Sequence, residues 1–175
     1  MRSLRSFLAA KLVLGVSVLA VACGGGGGLS LEEYFQQADE IFADRDDQAQ
    51  ALQEEAFPED ASEEEIAGHL RESFQGLAQI AADFGTALQG VRPPAEAEDA
   101  HNGLVAAVEP IPALFESIAT DVPETLSLEE SEQYDPFPGG EGTEPLIALD
   151  QACAALQQVA DDNDIDVDLE CGQEE

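Results

Sequence analysis

Residues 62–91 read SEEEIAGHLRESFQGLAQIAADFGTALQGV, and this stretch decides the fold. Ile66, Leu70, Phe74, Leu77, Ile80, Phe84, Leu88 and Val91 recur at steps of three and four. That period lines them along one face of an α-helix. Ser62 with Glu65 forms a capping box, in which each side chain accepts a hydrogen bond from the other residue's backbone N–H. The helix ends before Arg92-Pro93-Pro94, because proline is accepted at a helix start and rejected in its interior.

The same grammar extends in both directions. Upstream, Ser30 and Glu33 offer a second capping box, and Leu29 with Tyr34 a hydrophobic staple. A helix is expected over 30–57, with the stripe Leu31, Tyr34, Ala38, Ile41, Arg45, Ala49 and Leu52, widened by Phe35 and Phe42 and stopped by Pro58. Downstream, Ala97, His101, Leu104, Val108, Ile111, Phe115, Ile118 and Val122 form a third stripe, which Pro110 and Pro112 must kink or break. Ser127 with Glu130 caps a short helix, and the Pro- and Gly-rich stretch DPFPGGEGTEP (135–145) is a loop. A last helix is expected from about Pro145 to Asp161, with Leu146, Leu149, Cys153, Leu156 and Ala160 inward. No strand-rich region competes. The expected fold is all-α: an antiparallel helical bundle of about four main helices.

Charge excludes one class of partner at once. The 175 residues carry 38 Asp and Glu against 6 Lys and Arg, and three of those cations (Arg2, Arg5, Lys11) lie in the first eleven positions. Beyond residue 22, three arginines face 38 acids, a net charge of −35 with no lysine. Nucleic-acid binding relies on Lys and Arg contacts to phosphate, so no nucleic-acid partner is expected. Such a surface also repels anionic lipid headgroups.

The N-terminus reads differently. Met1–Lys11 is cationic, and Leu12–Ala22 is an unbroken run of eleven apolar or small residues. A membrane-spanning helix needs ~20 apolar residues, so the run suits the hydrophobic region of a secretory signal instead. Small residues Ala20 and Ala22 precede Cys23, with Leu19 four positions before the cysteine and Ala20 where leucine is usual. Here residues 1–28 resemble the bacterial lipoprotein signal. The resemblance implies cleavage before Cys23 and a diacylglycerol with palmitate-class chains on its sulfur. On that reading, 1–22 is the signal peptide, 23–29 the lipidated cysteine with its Gly24–Gly28 tether, and 30–175 the folded acidic domain. The tether would reach ~12 Å as a glycine-rich coil, holding an acidic domain off a negative membrane.

The segment DIDVDLEC (164–171) alternates strictly. Ile165, Val167, Leu169 and Cys171 fall on one side of an extended strip, and Asp164, Asp166, Asp168 and Glu170 on the other. Cys171 is in phase with the apolar side, and Cys153 with the inner stripe of the last helix. In an exported chain, this phase agreement predicts a Cys153–Cys171 disulfide pinning an extended C-terminal tail, worth ~3 kcal/mol in the chain-entropy model.

Candidate catalytic and metal sites fail on spacing. In DDNDIDVDLE (161–170) an EF-hand register from Asp161 places Ile165 and Asp166 at positions five and six. A register from Asp162 places Val167 at the sixth position and Gln173 at the twelfth. Glu98 with His101 is half of a di-iron pattern, but His69 has Ile66 in the glutamate's place. His101 is expected at the core edge, bonded to backbone or to Asp83 across a helix hairpin, and Arg45 in a partly buried ion pair among Asp44, Asp46 and Asp47. No nucleophile elbow, phosphate loop, H-E-x-x-H or C-x-x-C is present. No catalytic residue, metal ligand or cofactor is therefore expected. The expectation is a non-enzymatic binding or scaffold module, lipid-anchored on the extracytoplasmic face of a bacterial cell membrane, with an envelope protein as partner. Weak divalent-cation binding by the carboxylates is the first alternative; adaptation of the acidic surface to high salt is the second.

Overall fold

The computed structural model describes residues 29–53, 61–140 and 142–171. The expected signal segment 1–22, Cys23 with the glycines behind it, and the expected helix end at Pro58 lie outside the described residues. Six α-helices follow one another: α1 (Leu31–Gln53), α2 (Glu63–Gly90), α3 (Glu98–Val108), α4 (Ile111–Asp121), the single-turn α5 (Leu128–Glu132) and α6 (Glu144–Asp162). A 3-10 turn, Pro138–Gly140, sits in the loop before α6. Among the described residues there is no β-strand. The fold is an all-α bundle with an extended tail after α6, pinned by a disulfide.

All three expected capping boxes form. Glu33 Oε2 accepts from the Ser30 backbone N–H at 2.9 Å, while the Glu33 N–H donates to Ser30 Oγ at 3.2 Å. Ser62 with Glu65 and Ser127 with Glu130 repeat the pattern. Accepting these bonds holds all three glutamates below the usual carboxylate range, chiefly through the serine backbone N–H for Glu33 and Glu65 and through the serine hydroxyl for Glu130.

The third stripe does not stay one helix. Pro110 and Pro112 have no N–H to give, and the chain bends at Glu109–Pro110, with Pro112 accommodated in the first turn of α4. The break gives each half its own partner: α4 packs chiefly on α2, and α3 chiefly on α6. Glu98–Asp121 is long and apolar enough by length and composition to cross a membrane. Its residues Leu104, Val108, Ile111 and Ile118 are nevertheless buried in the bundle.

The main core joins Tyr34, Phe35 and Phe42 of α1 to Phe84 and Leu88 of α2, Leu104 and Val108 of α3, Leu156 of α6 and Leu169 of the tail. Phe35 and Phe42, flanking residues of the expected stripe, sit at its centre, whereas Leu31 and Ile41 are half-buried. Phe42 meets Phe84 edge-on, with ring centroids 5.0 Å apart. Gly85 lets α3 come close, since a Cβ there would stand 3.1 Å from Val108 Cγ1. A smaller cluster of Ile66, Ala67, Val122 and Leu126 closes the far end of α2, with Phe74 and Tyr134 packed against it.

Two of the three arginines beyond residue 22 hold the fold together. Arg45 pairs with Asp46 at 2.7 Å, as expected in kind, and its guanidinium also lies 4.8 Å from the Phe42 ring centroid and 5.1 Å from that of Phe84. Arg71 of α2 donates to the carbonyls of Val122 and Pro123 at 3.3 and 3.1 Å. The last turn of α4 has no basic residue of its own, so Arg71 supplies the positive charge its carbonyl end favours.

Leu156 is fully buried in the main core, and Ile147 on the same helix is half exposed. Leu156→Ala is expected to lower the unfolding free energy by about 2–5 kcal/mol in urea denaturation. Ile147→Ala should stay within about 0.5 kcal/mol of the parent. Equal losses for the two would mean that α6 is not seated in the core.

Candidate functional site

The site begins where α6 ends. Asn163 caps the helix, and Asp164 takes a left-handed backbone conformation (φ 55°), which aspartate tolerates better than most residues. The chain reverses, with the Ile165 N–H donating to the Ala160 carbonyl at 3.0 Å. From there the alternation read in the sequence holds. Ile165 and Val167 are half-buried and Leu169 is 0% exposed, while Asp164, Asp166, Asp168 and Glu170 all face solvent.

One side chain grips the tail's backbone. Gln157 of α6 donates through Nε2 to the Val167 carbonyl at 2.9 Å and accepts the Leu169 N–H through Oε1 at 2.9 Å. The same Nε2 also donates to Asp161 Oδ1 at 2.9 Å. The predicted Cys153–Cys171 disulfide closes the strip, its Cα atoms 5.4 Å apart. Ordering a chain costs about 1–2 kcal/mol per residue. One buried leucine, two half-buried residues and one amide clamp leave such a strip near balance. A cross-link worth ~3 kcal/mol decides for the docked state.

The docked tail runs beside α1, and the two enclose a groove. Its first hollow, about 360 Å³, is lined by Glu32, Gln36, Asp39, Asp164 and Asp166 over Phe35, Ile165 and Val167. A second, about 240 Å³, shares Asp39 and continues with Asp46, Asp47, Asp168 and Glu170 over Phe42 and Leu169. Eight carboxylates from two segments thus face one cleft, and every charged residue lining it is acidic. A cleft of one sign with apolar walls focuses its field, so it favours cations or a Lys- and Arg-bearing segment over any anion.

The sequence treated the two walls separately. Its reading of 161–170 stopped at the failed EF-hand, and the acids of α1 were grouped only around Arg45. A usable signal was present: Glu32, Asp39 and Asp46 recur every seven residues, which places them on one helix face. Among the described residues, no three His, Cys, Asp or Glu side chains are grouped so as to hold a metal ion.

His101 sits deeper than expected and has a different partner. It is 3% exposed, and its Nδ1 lies 3.0 Å from the Tyr34 hydroxyl, with the rings edge-on at 5.7 Å. The expected bond to backbone or Asp83 assumed that α3 folds back along α2. The break at Pro110 sends α3 to α6 instead, and Asp83 accepts from Gln79 of its own helix at 2.9 Å. Glu98, the other half of the E-x-x-H pattern, is exposed. Comparison with protein-family models, with curated proteins and with solved structures gives no match.

Burial pushes His101 below its ordinary value and Tyr34 above its own, so both stay neutral in the core. As pH falls, the unfolded chain takes up the histidine proton before the folded one does. The stability from neutral His101 is therefore complete above about pH 6.5 and is lost as pH drops toward the lower folded value. Subtracting the stability of His101→Gln from that of the parent should give a difference that is flat above about pH 7 and declines below about pH 6.5. A difference that stays flat to about pH 5 would show that His101 is not held neutral.

Proposed function

We propose that this chain is an extracytoplasmic lipoprotein, anchored to the bacterial cell membrane through Cys23, and that it acts as a non-enzymatic binding module. The α1–tail groove is the surface it presents to a partner, and the partner is a cationic segment of an envelope protein. One observation carries the reading: carboxylates from two segments far apart in sequence converge on one cleft with an apolar floor. Lysine or arginine stems would lie along the half-buried Ile165 and Val167 while their charges meet the rims. The position of the cleft agrees with the anchor, since Leu29 leads straight into α1 and the Glu32 end is the end nearest the tether. Among the described residues, the buried His101 is bonded to Tyr34, and the carboxylates held below their usual range are those of the caps, so these groups already have structural roles.

The anchor is tested by growing cells with an alkyne fatty acid and fractionating them. Label on the parent protein in the membrane fraction, lost from both label and membrane in Cys23→Ser, is the expected result. A Cys23→Ser protein that keeps its label overturns the anchor.

The groove is tested by calorimetry on the chain from Gly24 onward, titrated with a short oligolysine peptide and, separately, with Ca²⁺ at low and high NaCl. Saturable oligolysine binding that survives added salt and falls about tenfold or more in Asp39→Asn/Asp166→Asn is expected. Ca²⁺ binding at fixed stoichiometry in high salt would favour the cation-binding alternative. Heat that disappears with salt for both probes would leave the carboxylates as a surface adapted to high salt.

A further inference from the structure

The disulfide does more than close a loop, because the segment it holds is itself one wall of the groove. Asp164, Asp166, Asp168 and Glu170 supply four of the eight carboxylates, and they reach the cleft only while Leu169 is docked beneath them. The hold on that docking is uneven. At one end the strip is covalently joined to α6 through the turn at Asn163–Asp164; at the other it is fixed by the Cys153–Cys171 bond. Between them Leu169 is the one fully buried residue, and the Gln157 amide supplies both hydrogen bonds from the bundle to the backbone of Val167 and Leu169. The helices do not depend on the strip in the same way. α1, α2, α3 and α6 meet through Tyr34, Phe42, Phe84, Leu104 and Leu156, and the α2–α4 contact lies elsewhere.

We propose that the tail Asp164–Cys171 is a redox-latched strap that assembles the acidic groove when the Cys153–Cys171 bond is closed and dismantles it when the bond is reduced. This rests on the groove being the binding surface. Cys171 is half-buried and Cys153 is 5% exposed, so attack falls on the Cys171 sulfur. A dithiol reductant attacks it as a thiolate; the Cys153–Cys171 bond breaks and Cys153 departs as a thiolate, which takes up a proton. The reductant's second thiolate then displaces Cys171, which is protonated in turn. Two electrons and two protons pass to the protein, which ends with two thiols, and the reductant ends as its own disulfide. Once free, the strap loses the closure that tipped its balance, while the helices keep their shared core. The groove then loses the tail's four carboxylates and the Ile165 and Val167 part of its floor, and a cationic segment loses half of its contacts. Export into an oxidising compartment thus becomes the event that completes the binding surface.

The test uses the full mature chain in detergent, oxidised or reduced with excess dithiothreitol. Hydrogen exchange is read peptide by peptide, and oligolysine binding is measured on the same samples. On reduction, amide exchange across 165–169 is expected to rise about 100-fold or more, while α2 changes by less than about threefold. Oligolysine binding is expected to weaken about tenfold or more. Cys153→Ser/Cys171→Ser should reproduce the reduced state without reductant, and the reduced parent supplies the same comparison if that variant does not fold. Unchanged protection over 165–169 after reduction overturns the strap, since non-covalent contacts would then hold it. Loss of protection across α1 and α2 together with the tail also overturns it, making the bond a staple for the whole bundle. A loosened tail with unchanged oligolysine binding upholds the strap and overturns the groove as the binding surface.

Discussion

Charge repulsion is the constraint to which the rest of this structure answers. Beyond residue 22, three arginines stand against 38 carboxylates. Each acid must find solvent, a hydrogen bond or one of those arginines, because an unpaired buried carboxylate is prohibitively costly. The folded chain meets this with little positive charge. Arg45 serves one carboxylate and two aromatic rings, and Arg71 serves two backbone carbonyls at the end of α4. The capping glutamates are satisfied by serine and backbone donors and need no cation. What remains is an outward-facing acidic shell around an aromatic and aliphatic core, a state that dissolved salt favours by screening.

Much of that architecture was legible in the residues because it depends on local rules. The three Ser-x-x-Glu boxes start helices where they should, since the bonds involved span only three residues. The disulfide was legible by phase: a cysteine in step with an apolar stripe and another in step with an apolar strip must face the same interior. The proline break was legible as a break, but its consequence was not. Whether α3 continues along α2 or crosses to α6 is decided by which surfaces remain to be covered, and no local pattern holds that information. His101 shows the result, because its partner Tyr34 lies 67 residues away on α1. The prominence of Phe35 and Phe42 was missed for a related reason. A helix's apolar arc gives its buried face only to within the width of the arc, and the neighbours fix which edge turns inward.

The groove marks the same boundary between local and non-local. Each wall was visible by itself, one as a failed calcium loop and the other as scattered acids on a helix. Their convergence needed the tail to lie beside α1, a placement set by Leu169, Gln157 and the disulfide together. Among the described residues the carboxylates form no metal-ligating cluster; on the α1 side they are spread from Glu32 to Asp47.

The scarcity of cations has a consequence for the chain's exposure to proteolysis. Trypsin-like proteases cut after lysine and arginine, and beyond residue 22 this chain offers them only Arg45, Arg71 and Arg92. Arg92 is followed by Pro93, a junction such enzymes leave intact. The other two lie inside α1 and α2 with their guanidiniums already engaged, so cleavage there must first unwind a packed helix. The composition that burdens the fold with repulsion also leaves it almost without sites for one widespread class of secreted protease. That scarcity of cleavage sites follows from the same few arginines that hold the bundle together.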